Sequence, residues 1–502
     1  MTLSRRQMLG TSAATGIGIA AAGVALSPSA SATPSTGAST ATPAALGRSG
    51  RTLGALVTDP KGLLSLAAGF SYTVVSVAGE TTLTTGEKSP GRPDGTGAFR
   101  AGRAVRLVQN HELSPGAADP VPTLVGTVFD AGIKDAGGCT VIEVARDGAR
   151  VSEWVGLSGT ISNCAGGVTP WDTWLTCEET EVRAGTAYGA NGSTAQDHGW
   201  IFEVAPAESA QQHPVPIKAF GRYAHEAVVV MKDMTVYLTE DASSPNGLLY
   251  RWTGGHRSDA KPGFLQSLAP TAGTLEAMRV QNTDGQWVDD LSRFTSAQVG
   301  RELKVAWVKV PDRLATTTSV RKQFTTAAQV TRGKKLEGAW ADARGVYFAS
   351  SYAGYSDIPA LSVPHDGQIW YLDHDRQTLT LQAYFPYIRE LHTPSTAGGW
   401  TPWTLQEQRS LPDIFDGPDN VHVSPWGGLV IAEDGEGLNG LFIWTEDGGA
   451  QRLARNDILF QGTENAEMTG PTFSPDGSIL FANVQEPGHT YAIHGDFRPV
   501  LS

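Results

Sequence analysis

Along most of the chain, apolar and polar residues alternate in short runs that break at Gly, Pro or Asp-Gly. This is the period-two pattern of half-buried strands. CTVIEVARDGARVSEWV (139–155), AVVVMKDMTVYLTED (227–241), GQIWYLDHDRQTLTLQAYFP (367–386) and GLFIWTEDGGAQRLA (440–454) each predict two strands joined by a tight turn. Few stretches carry helical periodicity, so the pattern predicts an all-β fold. VSPWGGLVIAED (423–434) and FSPDGSILFANV (473–484) also share one grammar, S-P-x-G ahead of an apolar strand. Repetition of this kind points to a β-propeller, which we read as six-bladed with long inserted loops. Blades of about 40 to 45 residues account for only part of the length. The irregular stretches 255–300 and 390–418 are the expected insertions, on a face where function tends to sit. A two-sheet sandwich or two smaller propellers would also accommodate the strands.

Composition narrows the picture. The 502 residues include 58 Gly and 29 Pro, in keeping with many turns. Residues 1–32 carry Arg5-Arg6, a modestly apolar Gly/Ala stretch and SASA ending at Ala32, the layout of a twin-arginine signal peptide that the export machinery recognises and that is then removed. Residues 33–50 are a Thr/Ser/Ala/Pro tract expected to be a flexible linker, which leaves 51–502 as the propeller domain. No later segment is apolar enough to span a bilayer after cleavage. Removing the two signal arginines leaves 36 basic against 51 acidic residues, a net charge of −15. Such a surface repels nucleic acid, and its carboxylates suit cations.

Carboxylates recur where the apolar runs end: Asn110-His111-Glu112, Glu178-Glu179, His225-Glu226, Glu240-Asp241, Glu337 and Glu433-Asp434. Strands of different blades converge on a propeller's axis, so acids at equivalent ends can meet there. Neighbours on a strand face opposite sides, so of Glu178 and Glu179 only part reaches any common point. Glu226, just before AVVV, needs a partner if buried, which favours a metal role. The Glu433-Asp434 stretch is as easily a solvated turn, and His111 and His225 read most simply as satisfied core residues. Of three cysteines, Cys139 and Cys177 alternate with apolar neighbours and read as buried filler. An odd number argues against a disulfide framework. Cys164, in a loop reading NCAGG, has no apolar demand on it and is the candidate ligand or nucleophile. Zinc patterns, a G-x-S-x-G elbow and a P-loop are absent from the sequence, whereas oxygen donors with one thiolate suit hard cations beside a sulfur-accepting transition metal.

SRRQML, NHE (110–112), NCAGGVTPWDTWLTCEE (163–179), GRYAHEA (221–227), YLTED with LLYRW, and EMTGPTFSPDGSILFANVQEPG (467–488) together resemble the PhoX family of exported bacterial alkaline phosphatases. The resemblance implies a six-bladed propeller whose channel holds Fe(III) and Ca2+ and hydrolyses small phosphate monoesters. It implies Cys164 as the thiolate ligand of iron, with Glu178, Glu179, Glu226, Glu240, Asp241, Asn110 and Glu112 matching the family's ligand-bearing motifs. The family's R-P-E-W stretch corresponds to Lys335-Leu336-Glu337-Gly338-Ala339-Trp340. Here Lys335 takes the place of the phosphate-facing arginine, as catalytic and substrate-binding residue, and Glu337 that of the metal-facing glutamate. Lysine keeps the charge but lacks the bidentate fork. Asn420 is a further expected substrate contact. The implied setting is a monomer outside the cytoplasm or in the cell envelope.

Two other functions fit the same pattern. A calcium-dependent lactonase or sugar-acid esterase would use Asp419-Asn420 and Glu433 and leave Cys164 unexplained. A non-catalytic propeller would bind a partner through its long loops, since fold does not fix function.

Overall fold

The predicted hairpins form where the alternation placed them. GQIWYLDHDRQTLTLQAYFP folds into strands Asp366–Asp373 and Thr378–Phe385, and GLFIWTEDGGAQRLA into Gly440–Thr445 and Gly449–Asn456. Both S-P-x-G segments are turns in which the Gly N–H donates to the Ser carbonyl, Gly427 to Ser424 and Gly477 to Ser474. Glycine is needed there because φ is +112° and +73°. The structure, a computed structural model, describes residues 52–124, 126–207, 214–353, 366–386, 392–394, 400–402, 415–435, 438–460 and 464–502. The expected signal (1–32), the linker (33–50) and most of the 390–418 insertion lie outside the described residues. Gly50–Ser502 clusters as one unit.

Six strands open their sheets and lie side by side: β1 (Pro93–Ala101), β2 (Asn163–Val168), β3 (His225–Val230), β4 (Leu336–Ala341), β5 (Pro418–Val423) and β6 (Met468–Phe473). β1 heads a four-stranded antiparallel sheet and β2 a three-stranded one ending at Ile201–Val204. β5 heads a six-stranded sheet, and β6 a four-stranded one completed by Ser71–Val77. β3 and β4 stand at opposite ends of one eleven-stranded sheet. The fold is all-β and propeller-like, with four separate blade-like sheets and one nearly closed larger sheet where six separate blades were expected. The physical reason is strand Glu302–Lys309, which pairs with both Thr274–Gln281 and Thr378–Phe385. Thr274–Gln281 lies inside the stretch expected to be irregular. Its TLEAMRVQ is rich in helix formers, and tertiary pairing overrides that preference by burying Leu275, Ala277 and Val280.

β1 packs on β2, β2 on β3, and so on through β6, which returns to β1. The approach is backbone to backbone: a Cβ added at Gly95 would stand 2.7 Å from Ala165 Cα, and one at Gly338 2.7 Å from Asn420 Cα. A cavity of about 20 Å³ lies between these strands, lined among others by Gly95, Ala165, Gly338, Asn420 and Gly470. Closure depends on the N-terminal segment. Leu64–Ala67 pairs with Gly449–Asn456, and Ser71–Val77 with His489–His494, which covers edges that would otherwise be open. Apolar layers fill the space between sheets, for example Leu238, Tyr250, Trp252 and Leu275, all nearly inaccessible. Among the described residues no helix is long and apolar enough to cross a membrane.

Candidate metal centre

Each of the six inner strands breaks its pairing register at or beside its second residue. Such an irregularity bends the strand and re-aims a side chain. The second residues are Asp94, Cys164, Glu226, Glu337, Asp419 and Thr469. A backbone bond recurs beside them, from the residue that follows the next strand, or in the case of Ser351 from near that strand's end, to the carbonyl of the residue preceding the inner strand. Glu112 donates to Arg92 (3.0 Å), Glu179 to Ser162 (2.9 Å), Ser351 to Lys335 (3.1 Å), Asp434 to Gly417 (2.9 Å) and Gln485 to Glu467 (3.1 Å). Arg92, Ser162, Lys335 and Gly417 share a left-handed φ of +46° to +50°. One local design therefore presents donor-bearing positions at one mouth of the ring.

These positions converge in four groups whose ligand atoms lie within 4.8 Å of one another: Cys164 with Glu179 and Glu226; Glu226 with Glu337 and Asp419; Asp419 with Asp434 and Glu467; and Glu467 with Asp94 and Glu112. Glu226, Asp419 and Glu467 each belong to two groups, so the four form one chain of contacts with the thiol at its end. Lys335 reaches it from the side, its Nζ 2.9 Å from Asp241 and 3.0 Å from Glu337. Arg92 touches the far end, 3.2 Å from Glu112.

Of the residues expected from sequence, Cys164, Glu179, Glu226, Glu337 and Glu112 join these groups. Cys164 lies in strand β2 and not in a loop, because the two glycines after it let the strand press against its neighbours. It is fully buried beside Leu175, Val228 and Leu238, with Sγ 3.3 Å from the His225 carbonyl. The sulfur thus sits where the apolar core meets the acids. Glu178, Glu240 and Asn110 do not enter the groups. Glu178 accepts from His198 Nδ1 (2.6 Å) and from the N–H groups of Ile161, Gly199 and Trp200. Glu240 pairs with Arg321 (3.1 Å) and accepts from Tyr250 (2.7 Å), and burial pushes its carboxyl up to about 7. Asn110 donates to the carbonyls of Cys164 and Ala165 and accepts from Trp174, so it holds the thiol-bearing strand in place. Asp241 meets Lys335. Asn420 accepts from Gly470 N–H (2.7 Å) and donates to Asp419 (3.1 Å), which fixes a channel acid.

His111 and His225 are buried, and burial lowers their imidazoles to about 4 and about 3, so both are neutral core groups. Burial likewise pushes the Cys139 thiol up to about 12 and the Cys177 thiol well above its ordinary range. Glu433 is no solvated turn: it is fully buried against Arg452. The sequence reading missed Asp94 and Glu467. A signal existed for the first, since PDG, NCA, HEA, LEG and PDN all place a donor second on an inner strand with a small residue or Asn next. Glu467 carries no such mark.

Eight carboxylates and a thiol gathered this closely form a donor set suited to cations. The family model described as Alkaline phosphatase PhoX matches residues 52–154 and 147–488. No curated protein matches the sequence. Among solved structures the chain is similar to Pseudomonas fluorescens PhoX in complex with vanadate, at 18% identity and a TM-score of 0.60, covering 89% of this chain and 98% of that one. A Xanthomonas campestris gluconolactonase aligns at 13% identity over 88% of this chain and 98% of its own, with a TM-score of only 0.37. With the family model matched over most of its length, the chain belongs to the PhoX family of alkaline phosphatases, metal-dependent enzymes that hydrolyse phosphate monoesters.

Proposed function

We propose that this phosphatase works through iron and calcium held by the chain of acids at one mouth of the ring. The observation that carries the proposal is the unbroken run of four donor groups from Cys164 to Asp94 and Glu112. The donor chemistry divides it. The end with a thiolate, Cys164 with Glu179 and Glu226, suits Fe(III), whereas the all-oxygen groups around Asp419, Asp434, Glu467, Asp94 and Glu112 suit Ca2+. Bound there, the metals would neutralise a phosphoryl group and activate the attacking oxygen.

The chain's own residues do the rest. Lys335, held between Asp241 and Glu337, places a positive charge beside the reacting phosphoryl group. Asn110 and Asn420 fix the backbone and the carboxylate that present the donors. The glycine-packed strands below exclude bulk water, which strengthens every interaction at the mouth. Six repeats of the bulged inner strand and a closed circuit of contacts support reading the domain as six blades, two of them fused. The expected twin-arginine signal, export beyond the cytoplasm and a monomeric state belong to the same proposal.

Elemental analysis of protein purified after native export tests the reading, together with hydrolysis of p-nitrophenyl phosphate before and after EDTA. Iron and calcium together, with activity lost to the chelator, are expected. Calcium alone would point to the lactonase, and activity untouched by chelator would overturn the metal centre.

A further inference from the structure

Three of the six repeats carry a pair of adjacent carboxylates: Glu178-Glu179, Glu240-Asp241 and Glu433-Asp434. In each pair the second residue reaches the mouth of the ring, while the first is fully buried on the opposite side of its strand. Each buried member meets a basic side chain: His198 from the segment ahead of strand Ile201–Val204, Arg321 from the short 3-10 turn Val320–Gln323, and Arg452 from strand Gly449–Asn456 of its own sheet. His198 stands between Glu178 (2.6 Å) and Asp130 (3.2 Å), with all three side chains inaccessible to solvent. Arg321 bridges Glu240 (3.1 Å) and Glu181 (2.6 Å). Arg452 forks onto both oxygens of Glu433 and lies over the Phe415 ring. The other repeats lack this arrangement: Glu112 follows His111, whose ring nitrogens meet the Gly91 carbonyl and Thr140, and Gln485 follows Val484.

We infer that His198, Arg321 and Arg452 are positioning residues, each locking a buried carboxylate so that the peptide it shares with the next residue holds a channel acid in place before any metal arrives. The inference rests on the metal reading above. An acid whose neighbour is pinned has little backbone freedom, so like-charged groups can be kept close without a metal to gather them. The three pedestals address different stretches. His198 serves Glu179 and hence the thiolate end, Arg452 serves Asp434 and the all-oxygen groups, and Arg321 serves Asp241 and through it Lys335.

The test compares wild type with the double replacement Glu433→Leu/Arg452→Leu, which removes both members of the pair together, and with Arg452→Lys, which keeps the cation. Each protein is stripped, reloaded with calcium and ferric iron, and followed by metal content and by release into EDTA, with melting of the metal-free form recorded. The double variant is expected to melt near wild type in the metal-free form, to release calcium at least tenfold faster, and to keep the absorption of thiolate bound to iron. Arg452→Lys should fall between. In Glu178→Leu/His198→Leu, where Asp130 loses His198 but keeps the N–H groups of Gly132, Ala195 and Gln196, the thiolate absorption should weaken and calcium release stay close to wild type. Unchanged metal release in both double variants, in proteins that fold and load, would overturn the inference. Should the double variants fail to fold, equal release from wild type and Arg452→Lys would count against it. Failure of wild type itself to load metal would overturn the metal reading instead.

Discussion

The six inner strands end in two unlike surfaces. Near their beginnings they gather Asp94, Cys164, Glu226, Glu337 and Asp419, whereas the far ends of three of them, β2, β3 and β4, line a cleft of about 390 Å³ whose wall is Val168, Val228 to Val230, Met231 and Ala339 to Ala341, with Lys232, Asp233, Asp342, His374 and Asp375 also lining it. The acids stand where each strand is bulged; the aliphatic residues stand where pairing has become regular. Within five or six residues β2, β3 and β4 thus pass from the cluster of acids to a mainly apolar wall, and the bulge is the device that re-aims the side chains between the two.

Substitutions at the two ends should behave accordingly. Cys164→Ser removes the sulfur donor; iron content should fall to background and turnover by more than about a thousandfold, measured by elemental analysis and p-nitrophenyl phosphate hydrolysis. Lys335→Met should lower kcat by about a hundredfold or more with metal content unchanged, while Lys335→Arg should retain most activity and lower KM, because the fork can grip two phosphate oxygens. A protein with full activity after Lys335→Met would remove this residue from the mechanism.

A smaller effect is expected behind the mouth. Burial raises Glu240 to about 7, although Arg321 pulls it down. The folded chain then holds a proton that the unfolded chain has released, so this group's contribution to stability declines as pH rises from about 4.5 through about 7. Glu240→Gln should flatten the melting temperature across that window, on the order of 1 to 3 kcal/mol. Smallest of all, Val230→Ala at the far end should cost about 1 to 2 kcal/mol of stability and leave kcat/KM within about twofold. A large loss of activity there would erase the distinction between the two ends.

The strands were legible because alternation is a local signal, as in GQIWYLDHDRQTLTLQAYFP; Cys164 stood out as a loop residue with no apolar demand on it, whereas the structure puts it on a strand, between an apolar cluster and the acids. Thr274–Gln281 and Glu302–Lys309 were not, since their pairing with each other and with Thr378–Phe385 is decided by the whole sheet. The acids at strand ends were visible, but which member of each adjacent pair faces the mouth was not. Glu178 and Glu240 were expected at the metals, and the structure spends their oxygens on His198, backbone N–H groups, Arg321 and Tyr250. Asp94 and Glu467 meet only because the ring closes between β6 and β1, a contact across most of the chain that no local pattern carries.

The narrow middle of the ring, where Gly95 and Gly338 bring backbones together and about 20 Å³ remains, has a kinetic consequence. That space admits a water molecule and not a phosphate ion. Neither ester nor inorganic phosphate fits this space between the strands, so a product formed at the acids does not leave through it. Widening the middle by a single substitution would not open a back exit unless two neighbouring strands parted.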